Sequence, residues 1–132
     1  MATALLTGKR NFLSLVTAAH AAGMHAATAH TPTAMVVNQH ANLLDDTSPV
    51  KESWVVPSGI CGFAGVRIRP GTSAFARWML ATGKARKAYS GGIETSIMDF
   101  GQSYEKKLAY AGAFADTLRA AGINAYVWDR VD

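Results

Sequence analysis

Cysteine, long apolar runs and enzyme signature motifs are scarce or absent in this sequence. The single cysteine, Cys61, excludes a disulfide bond within the chain. No stretch approaches the roughly 18 consecutive apolar residues that a membrane-spanning helix needs. An apolar run follows Lys9 and Arg10, as in a secretory signal, but His20 and His25 interrupt it. We therefore interpret that run as a helix of the folded domain and expect no association with membranes.

Metal and catalytic chemistry also lack a recognisable pattern. Three of the four histidines are spaced by five residues, which places neighbours about 140° apart on a helix and not on one face. The set is His20, His25, His30 and His40. No phosphate-binding glycine loop, nucleophile elbow or zinc-binding motif is present. We expect no metal, no cofactor and no catalytic residue, so an enzyme is the last of three hypotheses.

The composition is that of one globular domain spanning residues 1–132. Apolar residues make up 49% of the chain and charged residues 17%. The net charge is +4, and residues 1–60 contain equal numbers of basic and acidic side chains. The whole basic excess therefore lies after residue 60. Such a charge suggests a polyanionic partner, although it is also ordinary for a soluble protein.

Residues 61–132 carry the clearest pattern, in which strand-like and helix-like runs alternate. Period-two alternation predicts strands over 61–69, 93–100 and 123–131. Two helices are predicted between them. The first is capped by Thr72 or Ser73 and ends at Gly83, and the second is capped by Asp99 or Ser103 and ends at Gly122.

The first sixty residues are less regular. Residues 1–30 predict one helix, over about 9–27, that frays from Gly23 onward because an interior glycine is unfavourable. Residues 31–60 predict short strands at 34–37 and 51–56, separated by a polar loop. The expected fold is α+β: one mixed or antiparallel sheet of about five strands, two helices on one face, and an N-terminal helix.

If both helices cover one face of the sheet, the other face collects aromatic and basic side chains. These are Phe63, Arg67, Arg69, Met98, Tyr126, Trp128 and Arg130. Such a face is a stacking platform for nucleic-acid bases, and guanidinium groups can bind phosphates. The segment with Lys84, Arg86 and Lys87 would extend the charge. Alternatively, the N-terminal helix and strands cover this face, its aromatic residues are core, and the 84–87 segment is a solvated loop.

Four stretches carry a resemblance to known proteins: TPTAMVV (31–37), CGFAGVRIRPGTSAFARWM (61–79), GKARKAYSGG (83–92) and residues 101–132. Over residues 31–132 the sequence resembles a family of small uncharacterised proteins encoded by tailed bacteriophages. The family pattern often has tryptophan at the position of Gly65. The resemblance implies a viral accessory or virion protein that acts by binding, in the cytoplasm of the infected bacterial host or in the phage particle.

The first hypothesis is a non-enzymatic phage protein that binds nucleic acid or a nucleotide. Its site residues would be Arg67, Arg69, Lys84, Arg86, Lys87, Tyr126, Trp128 and Arg130. The second hypothesis is a protein-binding module, either an inhibitor of a host enzyme or defence protein or a structural component of the virion. In that case the N-terminal helix would be the association surface and could form a homo-oligomer.

Overall fold

A computed structural model of the chain describes residues 9–131, except residues 43, 46, 58, 98 and 102, with the backbone alone at 9 and 10. The helices are α1 (Lys9–Ala29), α2 (Ala74–Ala81) and α3 (Tyr104–Ala120). The strands are β1 (Met35–His40), β2 (Val50–Val56), β3 (Gly62–Ile68), β4 (Arg86–Lys87), β5 (Ile93–Ser96) and β6 (Ala125–Val131). The fold is α+β, as predicted.

The main sheet has four strands in the order β4-β5-β3-β6, and every neighbouring pair is antiparallel. Along the central strand β3, alternate side chains enter the core, and Ala64, Val66 and Ile68 are at most 1% exposed. Ile93 on β5 and Ala125 on β6 are buried on the same side. The period-two pattern therefore assigned the core face of these strands correctly.

All three helices lie on the core side of this sheet. Helix α3 packs on β3 and β6, and α1 packs along α3 with a smaller contact to α2. Phe12 of α1 meets Phe75 of α2 edge to face, with 5.4 Å between ring centroids. The alternative in which the N-terminal helix covers the aromatic face of the sheet is thus wrong: α1 finds its partners among the other helices.

Hydroxyl caps and glycine stops set the ends of α2 and α3. Of the candidate caps, Ser73 and Ser103 are the ones used, and each side chain accepts the amide three residues on, at 3.2 and 3.3 Å. Gly83 and Gly122 follow the two helices with φ of 73° and 90°, a conformation that glycine adopts without strain.

The prediction that α1 frays from Gly23 is wrong, because α1 continues to Ala29. Gly23 is buried against Tyr110 of α3, and a Cβ atom there would lie 2.6 Å from the Tyr110 Cδ2 atom. The absent side chain lets the two helices approach closely. The packing gained offsets the low helix propensity of glycine.

A single sheet of about five strands does not form. Strands β1 and β2 pair only with each other, as an antiparallel hairpin outside the main sheet, and β4 is a two-residue strand that the sequence did not predict. Strand β5 ends at Ser96, short of the predicted residue 100, and β1 runs on to His40, past the predicted residue 37. Met98, predicted on the aromatic face, lies outside the described residues.

Side chains in the first turn of α3 form hydrogen bonds with the end of α1 and with the segment that leads into the β1–β2 hairpin. The Glu105 carboxylate accepts the Thr33 amide at 2.8 Å and lies 3.2 Å from Nε2 of His30. The next residue, Lys106, donates its Nζ protons to the carbonyl oxygens of Ala27 and His30, at 2.9 and 3.0 Å. These carbonyls belong to the end of α1, where a cation is favourable for the helix dipole.

Candidate functional site

The side of the main sheet away from the helices carries one set of polar, charged and aromatic residues. We call it the open face, and it consists of Phe63, Gly65, Arg67, Arg86, Glu94, Ser96, Tyr126, Trp128 and Arg130. The strand register sets its pairs: Arg67 lies opposite Glu94 on one side and Tyr126 on the other. Because residues directly opposite each other in neighbouring strands share a face, these side chains must meet.

Two arginines share one carboxylate at the centre of the open face. The Arg67 Nη2 atom donates to Glu94 Oε2 at 2.9 Å, and Arg86 Nη2 donates to Glu94 Oε1 at 3.1 Å. Burial alone disfavours the charged carboxylate, but the bonds from both arginines outweigh it, and the pKa of Glu94 lies below its ordinary value. The same carboxylate raises the pKa of Arg67. The Arg67 Nε–H is buried and has no partner in the described part of the chain.

Trp128 lies across the middle strand of this face. Its Nε1–H donates to the Thr95 carbonyl at 3.0 Å, two strands away from β6. The indole passes over Gly65, where a Cβ atom would lie 2.5 Å from the Trp128 Nε1 atom. Glycine at this position is therefore what allows the ring to cross the sheet. The hydrogen bond at its far end fixes the ring in one orientation.

A second cluster forms where β3 and β6 approach the first turns of α3. The ring of Phe63 has Arg130 Cζ 4.9 Å from its centroid and Lys107 Nζ 5.0 Å from it. Lys107 projects from α3 and is only 4% exposed. Its ammonium donates to the Gly62 carbonyl at 3.3 Å. A cation over an aromatic ring is attracted by the ring quadrupole.

The two clusters line one concave cavity of about 750 Å³. Its lining includes Phe63, Arg67, Glu94, Lys107, Trp128 and Arg130. This volume falls within the range of small-molecule sites, roughly 300–1,000 Å³. Aromatic rings and cations around a concave space can bind a planar, negatively charged group.

The structure brings some of the predicted site residues together and separates others. Arg67, Arg86, Tyr126, Trp128 and Arg130 lie on the open face. Arg69 lies at its rim, with its guanidinium carbon 5.7 Å from the Tyr126 ring centroid and an Nη2 bond of 3.0 Å to the Ser90 carbonyl.

Two predicted lysines lie elsewhere. The Lys84 Nζ atom stands 5.8 Å from the ring centroid of Trp78, on α2. Lys87 pairs with Ile93, which is buried in the core, so strand alternation turns Lys87 to the helix side. The charged 84–87 segment therefore contributes to the open face through Arg86.

Three residues of the site were missing from the predicted list. Phe63 was predicted on this face but not as a site residue. Strand alternation predicts Glu94 on the face away from Ile93, but its contact with Arg67 depends on the strand register, which no local pattern reveals. Lys107 had a detectable signal: it precedes the buried Ala111 and Phe114 by four and seven residues, the spacing of one helix face.

No family model matches this chain, nor does any curated protein or solved structure. None of the helices in residues 9–131, where described, is long and apolar enough to cross a membrane. Over the same residues, no group of three His, Cys, Asp or Glu side chains is arranged to hold a metal ion.

Proposed function

We propose that this chain is a non-enzymatic binding protein whose open face takes single-stranded nucleic acid or a nucleotide. The observation that carries the proposal is a sheet face left uncovered by α1, α2 and α3, on which cations and aromatic rings line one cavity. The contacts would come from Arg67, Arg69, Tyr126, Trp128 and Arg130, joined by Arg86.

The fixed position of Trp128 supports base stacking. A stacked base contributes about 1–3 kcal/mol on an aromatic platform. Because the indole is already held by the Thr95 carbonyl, little side-chain entropy is lost when a base stacks on it. Arg130 and Arg69 rest against aromatic rings instead of carboxylates, so their charges remain available to phosphates.

The ionisation and hydrogen bonds of Glu94 suit a structural role in a binding site better than a role in acid–base catalysis. Its lowered pKa keeps the carboxylate ionised at neutral pH, and both its oxygens already accept arginine bonds. A general acid or base works best with a pKa near the working pH. Glu94 is therefore suited to holding Arg67 and Arg86 in place.

For the biological setting, we propose an accessory or structural protein of a tailed bacteriophage, acting in the infected bacterial cytoplasm or in the phage particle. The support is the sequence resemblance over residues 31–132. A nucleic-acid-binding face is compatible with that setting, since nucleic acid is present in both places.

The test is a titration with short oligo-dT and oligo-rU, followed by tryptophan fluorescence at low and then moderate salt. The protein would carry Trp54→Phe, so that the half-exposed hairpin tryptophan does not contribute to the signal. We expect saturable quenching that weakens as salt rises, because phosphate binding releases counterions. Absence of binding at low salt would refute the proposal.

Two arginine variants locate the binding. Arg130→Gln removes a cation from the open face, and we expect the slope of log K against log salt to fall by about one. Arg77→Gln is the matched control, because Arg77 is exposed on α2, on the helix side of the sheet. Equal losses in both variants would mean that any surface charge serves, and the open face would not be the site.

A second candidate is protein association through the β1–β2 hairpin. The hairpin exposes apolar side chains: Val36 is 59% exposed, Val55 58% and Trp54 48%. An isolated two-stranded hairpin is marginally stable in water, so a partner would protect it. Along the described part of α1, by contrast, Leu13 is the exposed large apolar side chain, so the hairpin suits association better than the N-terminal helix.

Association through the hairpin is tested by measuring the oligomeric state, because a second copy of the chain is a partner that is always present. Light scattering would compare the wild type with a Val36→Ser/Trp54→Ser variant over a range of concentrations. A dimer that disappears in the variant supports association through the hairpin. A monomer in both proteins removes self-association from consideration.

A further inference from the structure

Lys107 is a buried cation with few partners. It is 4% exposed, and its Nζ meets the Gly62 carbonyl at 3.3 Å and the Phe63 ring. The ion pairs among the described residues involve other side chains. An ammonium group has three protons to donate, and a buried charge without a counter-charge is costly. Lys107 borders the cavity, where a bound ligand could accept its remaining protons.

Arg67 adds a second cation to the lining of the same cavity. Its Nη2 is bonded to Glu94, but its Nε–H is buried without a partner among the described residues. A buried donor left unsatisfied costs about 1–3 kcal/mol. The cations of the cavity lining, among them Lys107, Arg67 and Arg130, favour a ligand rich in acceptor oxygens.

The charge balance of the cavity narrows the choice of ligand. Its lining contains four cations, Arg67, Arg86, Lys107 and Arg130, and two carboxylates, Glu94 and Asp129. The cavity therefore carries two net positive charges. A phosphate monoester carries about −1.5 to −2 at pH 7, whereas a diester of the nucleic-acid backbone carries only one negative charge. The monoester matches the cavity and the diester leaves a charge uncompensated.

We propose that this cavity binds the terminal phosphate monoester of a nucleotide, either a free mononucleotide or the phosphorylated 5′ end of a strand. Lys107 Nζ and the guanidinium groups of Arg67 and Arg130 bind the phosphate oxygens, and Trp128 faces the nucleoside. The inference rests on the proposed function and deepens it, since it assigns a defined chemical group to one part of the open face.

Calorimetry with four probes tests this assignment: 5′-phosphorylated dT5, unphosphorylated dT5, thymidine 5′-monophosphate and thymidine. We expect the 5′-phosphate to strengthen dT5 binding about ten- to a hundredfold, the effect of one or two charge-assisted hydrogen bonds. A similar gain of the monophosphate over thymidine would indicate a mononucleotide site. A gain limited to dT5 would indicate a strand end. Inorganic phosphate should compete with both phosphorylated probes.

Two variants test whether the cavity is responsible for the stronger binding of the 5′-phosphorylated probe. Lys107→Met keeps the length and apolar stem of the side chain, and we expect it to abolish most of the gain from the 5′-phosphate while unphosphorylated dT5 binds as before. Arg130→Gln, at an exposed position, should also reduce the gain from the 5′-phosphate without risk to the core, in addition to the weaker binding of both forms of dT5 that follows from the lost cation. Lys51→Met on the hairpin is the matched control and should leave all four affinities unchanged.

The results separate the two proposals. If no probe binds, the proposed function is wrong and the phosphate site is wrong with it. If dT5 binds equally with and without its 5′-phosphate, the open face binds nucleic acid but the monoester assignment is overturned. The assignment is equally overturned if Lys107→Met weakens both forms of dT5 by the same factor.

Discussion

Replacing Gly65 with alanine should disrupt the open face at its centre. The new Cβ would lie 2.5 Å from Trp128 Nε1 and 2.7 Å from Cε2, and it would also collide with the backbone carbonyl of Thr95. Ordinary van der Waals contacts of a Cβ begin at 3.4 Å. The carbonyl is the nearest atom and belongs to the β5 backbone, so β3 and β5 must separate locally. The indole must also move by about 1 Å, which takes it beyond hydrogen-bond range of Thr95.

The cost follows from these contacts. Overpacking a well-packed site typically costs about 1–3 kcal/mol. Loss of the indole hydrogen bond to Thr95 adds about 1 kcal/mol. We therefore expect Gly65→Ala to lower the free energy of unfolding by about 2–4 kcal/mol. A domain of this kind has about 5–15 kcal/mol in total, so the variant should still fold.

Urea unfolding followed by circular dichroism measures this change, and the tryptophan emission of the folded variant reports the displaced indole. Gly112→Ala is the matched control: it lies in α3, nothing stands within 4 Å of its added Cβ, and alanine there should stabilise by about 0.5–1 kcal/mol. The two substitutions are chemically identical and should have opposite signs. The reasoning fails if Gly65→Ala changes stability by less than about 0.5 kcal/mol with unaltered emission.

Three further predictions concern other contacts. Glu94→Gln should cost about 1.5–3 kcal/mol at pH 7, because two guanidinium groups lose their carboxylate. The folded pKa of Glu94 is lowered, so its contribution is full above the unfolded pKa of about 4.3 and is lost as pH falls through the folded value. The difference between the two proteins in urea titrations should therefore shrink as the pH is lowered below about 4.3, and a constant difference would contradict this. Gly23→Ala should push α1 away from Tyr110 and lower the free energy of unfolding by about 1–3 kcal/mol, whereas a higher Tm would mean that helix propensity prevails. Glu105→Gln should weaken the bond to the Thr33 amide, so that hydrogen exchange at that amide accelerates; unchanged exchange would show that the hairpin is held by other contacts.

Local signals in the sequence were sufficient to predict most of the strands and helices in residues 61–132. Alternation along β3 and β6 depends only on the period of a strand, and it separated Val66 and Ile68 from Arg67 correctly. The hydroxyl caps at Ser73 and Ser103 are likewise local, since a side chain there satisfies an amide three residues on. Such features could be predicted because no distant residue decides them.

Features that depend on distant partners could not be predicted in the same way. Gly23 predicts a weak helix by itself, and only its contact with Tyr110 makes glycine favourable there. The residues of β1 and β2 have strand character, but nothing in them indicates that they pair outside the main sheet. The cavity arises from the register that sets Glu94 against Arg67, which depends on how two separated strands align.

The packing of α1 along α3 also constrains the order in which the chain can be assembled. His20 meets the Tyr110 hydroxyl across 90 residues of sequence, so closing this contact carries the entropic cost of a long loop. A ribosome adding about 5–20 residues per second needs about 5–20 s to traverse that interval. During that time the part of α1 around Gly23, which is buried against Tyr110 in the finished fold, has no α3 to pack against. The helix made first is therefore among the last to be protected from proteases in the growing chain.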